Sequence, residues 1–144
     1  LGVAIAWCDE VPLAALAEEL AAATVALGIF GAGQKAAMVV PNKVYQAAAV
    51  GRALVTRDSP ALREVLEPGT HCVAVPPADP LALAEAVAAL LDAPTEARRL
   101  GETARRHVTM EFGPEACAAR LRGVLRAAIG IEPGATPDGR RAAS

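Results

Sequence analysis

Short apolar runs rich in β-branched residues alternate with helical stretches along the first half of the chain, and this alternation constrains the fold most. Leu1–Trp7, Thr24–Phe30, Ala53–Thr56 and Cys72–Val75 read as strands. A helix is expected over Val11–Ala23, with Pro12 just inside its start and Glu18 and Glu19 outward. Gly31–Asn42 is expected to form a glycine-containing loop with an apolar middle. Pro41-Asn42-Lys43 then opens a helix to about Ala49, ended at Gly51 as a left-handed cap would end it. The loop Arg57-Asp58-Ser59-Pro60 leads into a short helix, Ala61–Leu66, and Pro68-Gly69 makes a turn. Strands and helices at this spacing imply βαβ crossovers and a parallel sheet. The expected class is α/β: a Rossmann-like parallel sheet with flanking helices, its inner strands buried on both faces.

The second half is wholly helical. Asp79 caps a helix over Leu81–Leu91, with Pro80 at its first position. Thr95 is expected to cap the next helix, with Ala97, Leu100, Ala104 and Val108 inward and Arg98, Arg99, Arg105 and Arg106 outward. After Gly113-Pro114, a last helix carries the stripe Cys117, Leu121, Val124, Leu125 and Ala128. One domain is therefore expected over residues 1–130, followed by a Gly/Pro/Arg/Ala/Ser tail, 131–144, with nothing to bury and an expectation of disorder.

Charge and cysteines narrow the function class. Fourteen Lys+Arg against sixteen Asp+Glu leave a net charge of −2, and aromatic residues make up 3%. Nucleic acid is excluded as a partner, because phosphate neutralisation needs a basic field and single strands need stacking platforms. The longest uncharged stretch, Leu20–Gln34, falls short of the ~18–20 apolar residues that span a bilayer. Cys8, Cys72 and Cys117 lack metal-site spacing and read as small buried hydrophobes in a reducing cytoplasm. His71 reads as a loop or strand-edge residue and His107 as part of a helix face, so no metal site is expected. Arg98, Arg99, Arg105, Arg106, Arg120, Arg122 and Arg126 read as solvated faces of the last two helices. The competing reading is a peripheral contact with the inner membrane surface.

In parallel sheets, ligands bind at the carboxyl ends of the strands. The loops after Phe30, Thr56 and Val75 are expected to open on one such edge. Gly31-Ala32-Gly33-Gln34-Lys35-Ala36 matches the G-x-G-x-x-A dinucleotide pattern, with Asp58 placed for a ribose hydroxyl. Against it, Val39-Val40-Pro41 interrupt the helix after one turn, and a strand and helix precede the motif. Pro41-Asn42-Lys43 offers helix N-terminal amides and a cation, a combination suited to a diphosphate. The chain's two lysines, Lys35 and Lys43, both fall at this edge. Arg57-Asp58-Ser59-Pro60 with Glu64 is the third candidate. No nucleophile elbow or Ser/His/Asp set occurs, so any chemistry here rests on positioning and electrostatics.

From Trp7 to about Leu125 the order of features resembles the C-terminal half of GT-B glycosyltransferases, closest to the retaining group 1 (family 4-like) enzymes. VPNKVYQAAAVGRALVTRDSPALREVL looks like that family's helix-glycine-strand block, GTHCVAVPPADPLALAEAVAALLDAP like its next strand and capped helix, and RRLGETARRHVTMEFGPEACAARL like its closing helical pair. TVALGIFG fits the strand entering the donor loop. The resemblance implies a donor-binding domain for a nucleoside-diphosphate sugar, whose glycosyl group, of hexosyl type and with retention, passes to a glycan, lipid or small-molecule acceptor. The sugar nucleotide is the substrate and no separate cofactor is implied. The implied donor-binding residues are Gly31, Gly33, Lys35, Asn42, Lys43, Gln46, Asp58 and Glu64, with Asn42 and Lys43 at the diphosphate and Glu64 in the post-strand loop. The family's two glutamates, eight residues apart, fall on Met38 and Gln46 here; the Gln46 amide retains hydrogen bonds for a ribose hydroxyl.

The family's basic pair and its acceptor domain precede the point matched by Leu1–Trp7. Leu1 in place of Met therefore marks an expected C-terminal fragment of a GT-B fold, partnered by an N-terminal domain and inactive alone. The alternatives are a non-catalytic Rossmann-like nucleotide-binding module, which the missing glutamates favour, and a sugar-nucleotide 2-epimerase-like domain.

Overall fold

The structure, a computed structural model, describes residues 4–130. Three parallel strands, β1 (Val25–Leu27), β2 (Ala53–Arg57) and β3 (Val73–Val75), form a sheet in the order β1-β2-β3. Val25 pairs with Ala53 and Leu27 with Val55, while Val55 pairs with Val73 and Arg57 with Val75. Helices α1 (Leu13–Ala22), α2 (Gln34–Met38), α3 (Asn42–Ala49), α4 (Pro60–Val65), α5 (Pro80–Asp92), α6 (Pro94–Phe112) and α7 (Pro114–Ala128) complete the order.

Most expected boundaries hold within a residue or two; the strand expected over Thr24–Phe30 is an exception, formed only over Val25–Leu27. The strand expected at the start is absent over residues 4–7, where Ile5 and Trp7 are exposed; residues 1–3 and the tail 131–144 lie outside the described residues. Pro12 is the N-cap of α1 rather than an internal residue. The expected loop after β1 contains α2, five residues long, which stops where Val39 turns extended. α6 begins at Pro94, so Thr95 sits inside its first turn rather than ahead of it. Gly51 does carry the left-handed backbone expected after α3, with φ +76°.

Burial follows the pleat of β2, the only described strand with a neighbour on each side. Ala53 and Val55 pack with Val75 against Leu90 of α5 and Ala97 and Leu100 of α6. Their neighbours Leu54 and Thr56 point to the opposite face, and Val44, Ala47 and Ala48 of α3, the helix packed on β2, are equally buried. All five β2 residues are buried, as expected for an inner strand. β1 departs from that expectation: it is an edge strand, and Leu27 is 50% exposed.

The turn after α4 docks on α6 through polar groups. Arg99 donates to the Gly69 carbonyl at 2.8 Å and the Thr103 hydroxyl to that of Thr70 at 2.5 Å. The rings of His71 and His107 stack, 4.4 Å between centroids. His71 Nδ1 accepts from the Glu67 N–H at 3.0 Å, and His107 Nε2 lies 2.8 Å from the Val65 carbonyl. Burial and the neighbouring His107 hold the His71 imidazole below its ordinary range. Nothing in the spacing of the two histidines marks this pair.

The described residues divide into two compact units, one ending at Thr109 and the other beginning at Met110. Within the second, Arg120 pairs with Glu111 at 2.7 Å and lies over the Phe112 ring, and Leu121, Val124 and Leu125 of α7 are exposed.

Candidate functional site

The carboxyl ends of the three strands converge through main-chain bonds that continue past the strands themselves. Gly28 N–H donates to the Val55 carbonyl at 2.9 Å and Arg57 N–H to that of Ile29 at 2.9 Å. Asp58 N–H donates to the Val75 carbonyl at 2.7 Å, and Ala78 N–H to that of Phe30 at 2.8 Å. The loops after β1, β2 and β3 therefore open on one edge, as the alternating pattern predicts. The buried Thr56 hydroxyl locks the first loop, accepting from Ile29 N–H at 3.3 Å and donating to its carbonyl at 3.4 Å. Gly28 makes room for it, since a Cβ there would lie 2.3 Å from that hydroxyl oxygen.

Arg57 belongs to the third sequence candidate but not to the donor-binding residues that the resemblance implies. It ends β2 and is 7% exposed. Its Nη1 donates to the carbonyls of Gly31 and, at 3.5 Å, Gly33, while Nε donates to that of Asp58 at 3.3 Å. A signal was present: a cation closes a mostly apolar strand run, two residues before a Ser-Pro helix start. Ser59, also buried, caps α4 by accepting from Leu62 N–H at 3.1 Å.

Asp58, Ser59, Arg63, Val75, Pro76 and Pro77 line an open cleft of about 680 Å³ between the ends of β2 and β3. Asp58 does not offer a free carboxylate there. Arg63 holds it through two bonds of 2.8 and 2.7 Å, which keeps the carboxyl below its usual range and the guanidinium above its own. With that pairing and a five-residue α2, the dinucleotide reading loses both its ribose acid and its long helix.

The eight sequence-predicted residues fall in different places. Gly31 and Gly33 meet Arg57 through their carbonyls, whereas Asp58 lines the cleft between the ends of β2 and β3. Lys35 is exposed on α2, and Asn42 and Lys43 are exposed as the first two residues of α3. Glu64 is exposed on α4. Gln46 turns elsewhere: it lines an apolar groove of about 210 Å³ with Leu13, Leu16, Leu20 and Val50. Met38, at the other position where the resemblance places a glutamate, is 70% exposed. Among the described residues no group of three His, Cys, Asp or Glu side chains is arranged to hold a metal ion.

The cysteines are all free, but only Cys72 is buried, where desolvation pushes its thiol up to about 11; Cys8 and Cys117 are exposed, contrary to the expectation of three core thiols. No described helix is long and apolar enough to cross a membrane.

No curated protein sequence matches the chain. Among solved structures, it is similar to a sucrose-phosphate synthase from Thermosynechococcus elongatus, at 27% identity and a TM-score of 0.67. That match covers 81% of this chain and 28% of the synthase, so the chain spans little more than a quarter of the relative's length. A family model described as glycosyl transferase-like matches residues 2–123, which include all three strands and most of α7. The chain belongs to this glycosyl transferase-like family, and its parallel sheet with flanking helices is a GT-B glycosyltransferase domain.

Proposed function

We propose that the domain binds the donor of a glycosyl transfer, a nucleoside-diphosphate sugar, at the carboxyl edge of the sheet. The observation that carries this reading is the convergence of three post-strand loops on one edge within a glycosyl transferase-like domain. Asn42 and Lys43 at the start of α3 supply free amides and a cation for the diphosphate. Gly31, Gly33, Lys35 and Glu64 border the same edge in the chain, and Gln46 serves the ribose if its amide turns out of the apolar groove. The reaction is transfer of a hexosyl group, with retention, to a glycan, lipid or small-molecule acceptor held by an N-terminal partner domain, and this chain alone is inactive. Three free cysteines support a reducing, cytoplasmic setting. The exposed apolar face of α7, flanked by Arg120, Arg122 and Arg126, supports a peripheral contact with an anionic lipid surface.

Chemical-shift titration of the chain with UDP, GDP and ADP tests the donor reading. Shifts are expected at Asn42–Gln46, and silence there with all three nucleotides refutes it. The exposed Met38 in place of an acid favours one second reading, a nucleotide-binding module without catalysis. Under that reading the nucleotide binds, and no transfer follows when the partner domain is supplied.

A further inference from the structure

Arg57 is over-equipped for a structural staple. A loop that needs only hydrogen-bond donors can be held by a neutral amide, without taking a cation out of water. Yet a full guanidinium stands here, 7% exposed, with main-chain carbonyls as its partners and no carboxylate bonded to it among the described residues. The nearest acid in sequence, Asp58, is held through both oxygens by Arg63. Nε and Nη1 are anchored, whereas Nη2 has no hydrogen-bond partner among the described residues and is not among the buried unpartnered atoms. The guanidinium is thus fixed in orientation, without a carboxylate bonded to it, sharing the field of Asp58 with Arg63, and open on one side at the strand edge.

We infer that Arg57 is an anion-recognising residue, whose Nη2 donates to a phosphoryl oxygen lying against the Gly31–Gly33 loop. The carbonyls that hold Nη1 and Nε fix the fork before the ligand arrives, so little side-chain entropy is lost on binding. The ligand supplies the directly bonded anion that Asp58, held by Arg63, does not, and a charge-assisted bond is stronger than one between neutral groups. Assigning the phosphoryl group to a nucleoside diphosphate rests on the donor reading; free pyrophosphate offers the same chemistry.

The test follows the Arg57 Nε–H resonance and the Gly31 and Gly33 amides of the full chain during titration with sodium pyrophosphate, UDP, GDP, ADP and uridine. All three signals are expected to move with pyrophosphate or a nucleoside diphosphate and to stay still with uridine. Tighter binding of one nucleotide, by about tenfold or more over pyrophosphate, assigns the anion to the nucleotide; equal affinity assigns it to free phosphate species. Arg57→Gln keeps donors without charge and is expected to weaken binding at least about tenfold, with Arg57→Lys intermediate because it keeps charge without the fork. Should Arg57→Gln fail to fold, the resonances of the unaltered chain decide. If pyrophosphate moves Arg57 while no nucleotide binds, this inference stands and the donor reading falls. If a nucleotide moves Asn42–Gln46 and leaves Arg57 still, the donor reading stands and this inference is overturned. If nothing moves, both are overturned.

Discussion

Gly101→Ala and Gly123→Ala make the same chemical change in two long helices and are expected to have opposite effects. In a solvent-exposed helix interior, alanine is favoured over glycine by about 0.8–1 kcal/mol. At Gly123 of α7 an added Cβ meets nothing within 4 Å, so that gain is expected in full as raised helicity. At Gly101 of α6 the Cβ would lie 2.1 Å from the Gly51 carbonyl oxygen and 2.7 Å from its carbon. Both are backbone atoms of the turn that enters β2, so no rotamer change relieves the contact. Contacts under 3.0 Å do not occur, so α6 must retreat by at least 3.0 − 2.1 = 0.9 Å. A gap near 1 Å forfeits up to roughly half the dispersion energy of the atoms facing it. The atoms beside it belong to Leu100 and Ala104, at 2% and 0% exposure. Overpacking of this kind costs about 1–3 kcal/mol, and rigid partners place it near the top. After the propensity gain the net loss is about 2 kcal/mol, or very roughly 8 °C of Tm for a chain of this size. Thermal melts followed by circular dichroism at 222 nm check both variants. A Gly101→Ala chain that melts at or above the parent temperature would refute the close packing of α6 on the Gly51 turn.

Lys43→Ala is expected to weaken nucleoside-diphosphate binding by about 1.5–3 kcal/mol if the ammonium bonds the diphosphate, and unchanged calorimetric affinity removes it from the site. Because the folded chain holds His71 below its ordinary value, the unfolded chain binds more protons near that value. Stability is then fully present above about pH 6.5 and falls as pH drops toward the lowered folded value, so Tm is expected to decline from pH 7.5 to 5.5. His71→Gln is expected to flatten that decline, with Glu67, Arg99 and His107 as the remaining charged or titratable neighbours of the turn; an equal slope in the variant removes His71 as its cause. Ellman's reagent at neutral pH is expected to label Cys8 and Cys117 rapidly and Cys72 only on unfolding, because Cys72 is buried with its thiol pushed up to about 11. Rapid labelling of all three thiols contradicts that burial.

The elements were legible wherever a few adjacent residues decide the backbone. Asp79-Pro80 starts α5 through a 2.9 Å cap bond to Ala82, Ser59-Pro60 starts α4 in the same way, and Gly51 ends α3. The inward residues of α6 repeat at helical spacing, and the family resemblance rested on the order of such local blocks. Reading failed where a residue's state depends on what lies beside it. Leu27 looks like its neighbours in a buried run, but β1 is the sheet's edge. Cys117 and the α7 stripe look like core, yet they are exposed.

The sequence by itself determined the α/β alternation, the parallel sheet and the edge on which the loops open, because periodicity, caps and breakers act over one or two turns. Only the tertiary structure decided which groups meet there. Arg57 reaches the Gly31 and Gly33 carbonyls because Leu27 pairs with Val55, a register set by the packing of both strands on α5 and α6. The same long-range packing stacks His71 on His107 and aims Gln46 at α1. A side chain's partners across the fold are fixed by register and burial, which no local spacing encodes.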